Sequence, residues 1–218
     1  MSLILYGHPF SSYCQKVEIA FYENSLPFDY RIVAPDQPEV SAEWAALWPL
    51  KKFPVLVDAG RTVVESSIII EHLHLHHRSH VPLLPDDPAT ALEVRFMDRF
   101  FDNHVMTPMQ GPVLEALRPD GRNEEALQKA ATALDTSYAW LEHRLQGRTW
   151  AAGNSFSLAD CAAAPSLFYA DWVHPISDSF PTLCAYRARL LDRPSFARAV
   201  DEGRPYRKLF PLGAPDRD

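Results

Sequence analysis

The sequence predicts a small α/β domain followed by an all-α domain, and three observations support this prediction. Over the first eighty or so residues, short apolar runs of strand length alternate with stretches of helical apolar spacing. Three prolines then fall within the seven residues 82–88, which predicts a stiff, extended connection. Beyond it, helical spacing dominates. We therefore predict an α/β domain over 1–80, a linker over 81–88 and an all-α domain over 89–218.

The first domain has the predicted order β-α-β, a helical connection, then β-β-α. The predicted elements are a strand at 3–6, a helix at 13–21, a strand at 28–33, hairpin strands at 54–57 and 61–64, and a helix from Ser66. Glycine, proline and asparagine lie between these runs, and residues 58–60 supply the hairpin turn. This order indicates a small mixed sheet with helices on its faces.

Helical periodicity predicts the second domain. Apolar residues over 127–145 recur at 4-3-4-3-4 spacing and a glycine follows, which predicts an amphipathic helix with a stop signal. Leu92, Phe96 and Phe100 mark an earlier helix, which we expect to bend at the prolines that follow it. Ser157 and Asp160 have the spacing of a capping box, so we interpret Asp160 as structural rather than catalytic.

Composition excludes several classes of function. The 218 residues are 47% hydrophobic, enough for a core, and the 21 basic and 28 acidic residues give a net charge of −7. That balance argues against sequence-independent binding of nucleic acid. Apolar runs stay well short of the ~20 residues that a membrane helix needs, and no secretory signal is expected at the N-terminus. Three widely spaced cysteines disfavour a disulfide framework, so we expect a cytoplasmic protein.

Three stretches of the first domain contain the candidate site residues. Ser11 and Ser12 open the first helix, where free backbone N–H groups and a partial positive charge favour an anion; alone, either serine is an ordinary N-cap. Pro54 enters a strand, which favours an edge position or a cis bond that turns the backbone outward. Glu65 and Ser66 stand at the start of another helix.

In order and spacing, these stretches resemble the cytosolic glutathione S-transferase family over essentially the whole chain. The resemblance includes Pro54 before the third strand, the Glu65–Ser66 pair, the Leu-Leu-Pro of the linker, the capping box and Arg-Pro-Ser-Phe at 193–196. It implies a thioredoxin-like N-terminal domain, a helical C-terminal domain, a homodimer and glutathione as co-substrate. The implied activity is conjugation of the glutathione thiolate to small hydrophobic electrophiles.

The resemblance also assigns the ends of the tripeptide. Ser66 and its helix start take the γ-glutamyl carboxylate, and Glu65 takes the ammonium group. The backbone of Phe53 and Val55 pairs with the cysteinyl backbone, and Lys52, or alternatively Lys51, holds the glycyl carboxylate.

Three side chains are candidates for contact with the glutathione thiol. Ser11-Ser12-Tyr13-Cys14 is similar to the loop of serine-type, zeta- or theta-like members, except that Tyr13 stands where a cysteine is found in the zeta type. The resemblance favours Ser11, with Ser12 second, whereas Tyr6 matches the position that tyrosine-type classes use.

Other functions remain open within the same fold. Cys14 in a first helical turn could serve a thiol transferase if its pKa were lowered, although a small buried residue is the simpler interpretation. A glutathione-dependent isomerase and a non-catalytic glutathione-binding or regulatory protein are the further alternatives.

The histidine-rich stretch over 72–80 contains histidines at a spacing that metal ligands also use. His72 and His76 are four apart on one helix face, yet there is no HExxH motif and no obvious third ligand in the sequence. We therefore expect a solvated helix face and no metal. For the electrophile pocket, the candidates are aromatic residues, methionines and a histidine: Phe10, Phe100, Phe101, His104, Met106, Met109 and Trp172.

Overall fold

The computed structural model describes residues 3–77, 80–119, 121 and 123–218, so Arg78 and Ser79 of the histidine-rich stretch lie outside the described residues. The first domain contains β1 (Leu3–Gly7), α1 (Ser12–Glu23), β2 (Phe28–Ile32), α2 (Pro38–Leu47), β3 (Val55–Asp58), β4 (Arg61–Val64) and α3 (Ser66–His76). The second contains α4 (Pro88–Phe100), a π-helical segment (Phe101–Met106), α5 (Thr107–Ala116), α6 (Glu124–Arg144), α7 (Leu158–Val173), α8 (Pro181–Leu191), α9 (Pro194–Gly203) and a 3₁₀ segment (Arg204–Leu209).

The sheet of the first domain is mixed, with strand order β2-β1-β3-β4. β1 and β2 are parallel, whereas β3 runs antiparallel to both β1 and β4. Leu5 on β1 and Leu56 on β3 are fully buried against α1 and α3, and a smaller cluster of Tyr6, Val33 and Val55 packs against α2 on the other face. The predicted mixed sheet with helices on both faces is confirmed.

The hairpin between β3 and β4 turns at Ala59 and Gly60, where the sequence predicts it. Both residues have positive φ, 49° and 83°. Two successive residues with φ above zero characterise the tight turn that matches the twist of a two-strand hairpin. Asp58 therefore stands at the tip of the hairpin, beside the C-terminal end of α3.

Packing in the second domain centres on α7, whose residues from Leu158 to Asp171 are all buried. The capping box at its start is present. The Asp160 carboxylate also accepts from the backbone of Ala151 at 2.8 Å and from the Tyr186 hydroxyl at 2.6 Å. The structural interpretation of Asp160 is therefore confirmed. Gly147, with φ of 71°, follows the end of α6 as expected.

The helix at α4 is present, but its predicted apolar face points outward. Leu92 and Phe96 are 67% and 47% exposed, whereas Ala91, Val94 and Met97 face the core. α4 has two apolar rows, and the outer aromatic row is covered only in part, by Trp140 on α6. Where we expected a bend, α4 continues into the π-helical segment, a wider turn that often marks functional sites.

Within the described ranges, no helix combines the length and the apolar character that crossing a bilayer would require.

The buried carboxyl of Glu18 on α1 makes stability depend on pH. Its side chain is fully buried, and this burial raises its pKa from 4.5 to about 8, with Tyr30 and Arg198 opposing the shift. The folded state therefore retains a proton that the unfolded state has lost, and wild-type stability falls as pH rises through this window. We predict that Glu18→Gln gains stability relative to wild type by up to about 1.4 kcal/mol per pH unit between pH 5 and 8.

Urea denaturation of both proteins at several pH values measures this difference. Glu125→Gln, which changes an exposed carboxyl on α6, is the matched control. Its free energy of unfolding should differ from that of wild type by the same amount at every pH between about 5 and 8. A constant difference for Glu18→Gln as well would contradict the prediction.

Candidate functional site

A cavity of about 810 Å³ lies between the two domains. Its polar wall comes from the first domain and includes Ser11, Ser12, Lys52, Glu65 and Ser66. Its apolar wall is formed mainly by the second domain and the C-terminal segment. The structure therefore brings together the three stretches that the sequence singled out, although more than fifty residues separate the first from the last.

Ser11 is the N-cap of α1. Its backbone is extended, at φ −91° and ψ 124°, and its Oγ accepts from the backbone N–H of Cys14 at 3.4 Å. A hydroxyl has one hydrogen to donate and two lone pairs, so capping occupies a lone pair and leaves the hydrogen for another partner. The capping role and a thiol-binding role are compatible. Ser12, in the first turn, also lines the cavity but is only 9% exposed.

The Phe53–Pro54 peptide bond is cis, as the position of this proline before a strand suggested. Phe53 and Pro54 line the cavity, and so do the exposed side chains of Lys51 and Lys52. The choice between the two lysines therefore stays open. The carbonyl of Lys52 accepts from the Trp44 indole at 3.1 Å, which fixes this segment against α2.

Val55 does not line the cavity, contrary to its assignment beside Phe53. The residue is fully buried and paired within the sheet, with Tyr6 on one side and Val64 on the other. Its backbone is engaged between two neighbouring strands, so the outward-facing backbone at this edge is that of Phe53.

The start of α3 has no side-chain cap. Glu65 is the N-cap, but its side chain makes no capping hydrogen bond, so the side chain leaves the N–H groups of the first turn to other acceptors. Its φ of 71° lies in the left-handed region, which is costly for a residue other than glycine. That backbone turns the exposed carboxylate toward the cavity mouth, beside the buried hydroxyl of Ser66.

A buried lysine links these helices to the second domain. Lys16 on α1 is 1% exposed and donates to Asp98 at 2.6 Å, Asp102 at 2.8 Å and Ser67 at 2.9 Å. Arg99 also contacts both aspartates and lines the cavity together with Asp102. Burial raises the pKa of Asp102, and the charge of Lys16 opposes that shift. We call Lys16, Ser67, Asp98, Arg99 and Asp102 the ion cluster.

Two other candidates for thiol chemistry are placed unfavourably. Tyr6 lies outside the cavity lining, 5% exposed, and its hydroxyl donates to Glu43 at 2.9 Å. Cys14 is fully buried, and burial raises the pKa of its thiol to about 12, the opposite of what a reactive cysteine needs. The interpretation of Cys14 as a small buried residue is confirmed.

The apolar wall differs from the expected set. Of the seven candidates, Phe10 and Met109 line the cavity. Phe101 and Met106 are buried in the core, whereas Phe100 stacks on Trp140 at 4.2 Å on the outer side of α4. The π-helical segment sets which side chains face inward, and no apolar spacing signals it. The remaining apolar lining includes Val113, Tyr169, Leu209, Phe210 and Pro211.

The histidine-rich helix face is not simply solvated. His72 is 8% exposed, and its Nε2 lies 2.8 Å from a carboxylate oxygen of Asp58; the Nε2 of His77 lies 2.8 Å from the same oxygen. The expectation that no carboxylate is positioned as a third ligand is therefore wrong. Asp58 precedes His72 by fourteen residues and meets it only because the hairpin turns there.

Comparison with known proteins identifies the family. A profile described as "Glutathione S-transferase, N-terminal domain" matches residues 5–81, and one described as "Glutathione S-transferase, C-terminal domain" matches residues 104–194. The chain belongs to the glutathione S-transferase family. The expected thioredoxin-like N-terminal domain and all-helical C-terminal domain are thereby confirmed.

Relatives of this glutathione S-transferase family member have different described roles. This chain is 31% identical to "FtsZ-localized protein A" of Caulobacter vibrioides over 203 residues, which cover 88% of each chain. It is 28% identical to a "Probable maleylacetoacetate isomerase" of Vibrio cholerae over 212 residues, 94% of this chain and 98% of that one. A crystal structure of a glutathione S-transferase from Methylobacillus flagellatus with glutathione bound superposes with a TM-score of 0.82, at 27% identity, over 91% and 98% of the two chains.

The ion cluster has almost no signature in the sequence. Lys16 lies one residue before the buried Val17, and a charge in an amphipathic helix is ordinarily solvated. The cluster's one local signal is the spacing of Asp98 and Asp102, which stand four apart on one helix face. Nothing local connects them with a lysine more than eighty residues earlier.

We predict that Lys16→Met destabilises the protein by about 3–5 kcal/mol, because it leaves two buried carboxylates without their buried cation and with the half-exposed Arg99 as their remaining positive partner. Chemical denaturation measures the loss. Lys129→Met, which removes an exposed lysine from α6, is the matched control and should change stability by less than about 0.5 kcal/mol. Equal effects of the two substitutions would show that the cluster is not held by Lys16.

Proposed function

We propose that this chain is a glutathione S-transferase that conjugates the glutathione thiolate to small hydrophobic electrophiles. The observation that supports this most is the convergence of Ser11, the cis Phe53–Pro54 segment and the Glu65–Ser66 helix start in one cavity with an apolar far wall. Family membership supports glutathione as the ligand, and a relative of similar fold has it bound.

The polar wall complements the charges of an extended tripeptide. Glutathione has two carboxylates and one ammonium group. Ser66 and the first-turn N–H groups of α3 suit the γ-glutamyl carboxylate, Glu65 suits the ammonium group, and Lys52 or Lys51 suits the glycyl carboxylate. The Phe53 backbone lies between these ends and suits main-chain pairing with the cysteinyl residue.

The thiol is activated by the start of α1. An ordinary thiol has a pKa near 8.5, so ionisation at neutral pH requires a downward shift of roughly two units, about 2.7 kcal/mol. A hydrogen bond to a charged acceptor contributes about 1.5–3 kcal/mol, and a helix N-terminus about 0.3–1 kcal/mol. The free hydrogen of Ser11 and the N-terminus of α1 together are sufficient, and no general base is needed.

The second domain supplies the site for the electrophile. Phe10, Met109, Val113, Tyr169 and Phe210 give the cavity a hydrophobic half that can hold an aromatic or aliphatic group beside the sulfur. The thiolate then attacks an electrophilic carbon and a carbon–sulfur bond forms. In a substitution the leaving group departs with the electrons of its bond to that carbon; in an addition the π electron pair moves onto the electrophile, which then takes a proton from water.

Ser11→Ala tests this mechanism. We expect turnover of a chloronitrobenzene at pH 6.5, as kcat/KM, to fall roughly 10- to 100-fold, because the hydrogen bond to the thiolate is lost. The pKa of the bound thiol, read from the ultraviolet absorbance of the thiolate, should rise toward its ordinary value. The activity deficit should shrink at pH 9, where the thiol ionises without help.

Ser12→Ala is the matched control and should have the smaller effect on both readouts. Parental activity and an unchanged thiol pKa in Ser11→Ala would reject Ser11 as the activating group. If Ser12→Ala lowered kcat/KM and raised the thiol pKa more than Ser11→Ala does, Ser12 would be the activating residue instead.

A non-catalytic role is the second candidate, favoured by the 31% identity to FtsZ-localized protein A. In that case the fold would serve as an interaction module and glutathione, if bound, would be a structural ligand. Binding of glutathione without turnover of any member of a broad electrophile panel, combined with co-sedimentation with FtsZ polymers, would favour this role. Turnover of a maleyl substrate instead would favour the isomerase chemistry named for the Vibrio cholerae relative.

The resemblance also leads us to propose a cytoplasmic homodimer. Light scattering on the purified chain measures the oligomeric state, and cell fractionation measures the location.

A further inference from the structure

A second polar cluster lies at the ends of β3 and α3 that are remote from the cavity. β3 begins just after Pro54 and ends at Asp58; α3 begins at Ser66 and is followed by His77. The Asp58, His72 and His77 side chains are only 12%, 9% and 24% exposed, respectively. The cluster therefore lies mostly out of solvent, and solvent reaches it from the side of His77.

We propose that Asp58, His72 and His77 bind a divalent transition-metal ion, Zn²⁺. Two imidazole nitrogens and one carboxylate oxygen form a three-ligand set that zinc accepts, with a fourth position left open. Calcium and magnesium prefer oxygen ligands alone, so the two imidazoles argue against them. The site is separate from the glutathione cavity and does not depend on the proposed transferase activity.

The three ligand atoms are close enough to reach one ion after side-chain adjustment. The three ligand atoms lie within 4.8 Å of one another, and each Nε2 is 2.8 Å from the same Asp58 oxygen. Around a tetrahedral zinc ion, neighbouring ligand atoms are about 3.3 Å apart. Each nitrogen must therefore move about 0.5 Å away from the oxygen, and the two nitrogens, at most 4.8 Å apart, must approach each other by up to about 1.5 Å. The ion takes the place of the protons that the cluster shares, and those protons are released to solvent.

Local backbone structure explains why both histidines face the aspartate. His72 lies on the buried side of α3. His77 is five positions later and would point elsewhere on a continuing helix, but it is the C-cap, and its extended backbone, at φ −122° and ψ 141°, brings its ring back to Asp58. The exposed His76 lies beside His72, with 4.5 Å between the ring centroids and the ring planes tilted by 49°. The fourth ligand would be a water molecule or this further imidazole.

A bound ion would join the hairpin to the end of α3. Both elements begin at the proposed glutathione site, so this cross-link would stabilise the domain that holds the tripeptide. A ligand that binds only the folded state raises stability by mass action, and this can be measured without any assay of activity.

The test uses the untagged full chain after treatment with a chelator. Equilibrium dialysis against ZnCl₂, with metal analysis of the protein, measures stoichiometry and affinity. Replacing Zn²⁺ by Co²⁺ gives an intense visible spectrum if coordination is four-fold. Thermal unfolding with and without ZnCl₂ measures the stabilisation.

We expect one tight ion per chain, and a rise in Tm of roughly 5–10 °C at free zinc about a hundred times Kd. Asp58→Asn and His77→Gln should each weaken zinc affinity at least about tenfold and abolish the four-coordinate cobalt spectrum. The control His143→Gln, which removes an exposed histidine from α6, should bind as wild type does.

The amide oxygen introduced by Asp58→Asn can still accept from the two histidines, so circular dichroism of the apo variants should match wild type. If Asp58→Asn does not fold, His77→Gln, at the helix end, decides the question. No stoichiometric zinc on wild type, or wild-type affinity in both variants, would overturn the proposal and leave surface histidines as adventitious ligands.

Discussion

A buried lysine sets the position of the two halves of the cavity relative to each other. Lys16 is surrounded by Asp98, Asp102 and Ser67, which come from both domains. A desolvated charge is stable only with its partners at hydrogen-bonding distance, so α1, α3 and α4 have little freedom to slide past one another. An apolar replacement of the whole cluster could be equally stable. We therefore interpret the ion cluster as a device that positions the helices, rather than as a source of stability.

The ion cluster also fixes the N-terminal ends of α1 and α3, which carry the proposed glutathione-binding residues. Ser11 caps the same helix that carries Lys16, and Glu65 and Ser66 directly precede the Ser67 that the cluster holds. The left-handed backbone at Glu65 is a local cost of that arrangement. Strained backbone of this kind is common at functional sites. Here the strained residue is Glu65, which we propose binds the ammonium group of glutathione.

Much of the fold follows from local sequence, whereas part of the site does not. The hairpin turn at 58–60, the stop after α6 and the capping box of α7 depend on neighbouring residues, so pattern and turn chemistry predict them. The partners of Lys16 and the meeting of Asp58 with His72 depend on contacts between distant elements. Packing against α6 and α7 decides which apolar residues of α4 face the core and where the π-helical segment changes the direction of the side chains that follow. The sequence of one helix does not contain this information. The domain limits at 80 and 89 and the roles of the site residues stay predictions.

A crystal structure of this chain with glutathione bound would test directly whether Ser11 and the start of α1 hold the thiolate. We expect the tripeptide in the interdomain cavity, with its γ-glutamyl end at Glu65 and Ser66. Its sulfur should lie within hydrogen-bonding distance, about 3.5 Å or less, of the Ser11 hydroxyl. A sulfur directed away from the start of α1, or a cavity that stays empty at saturating glutathione, would contradict this expectation.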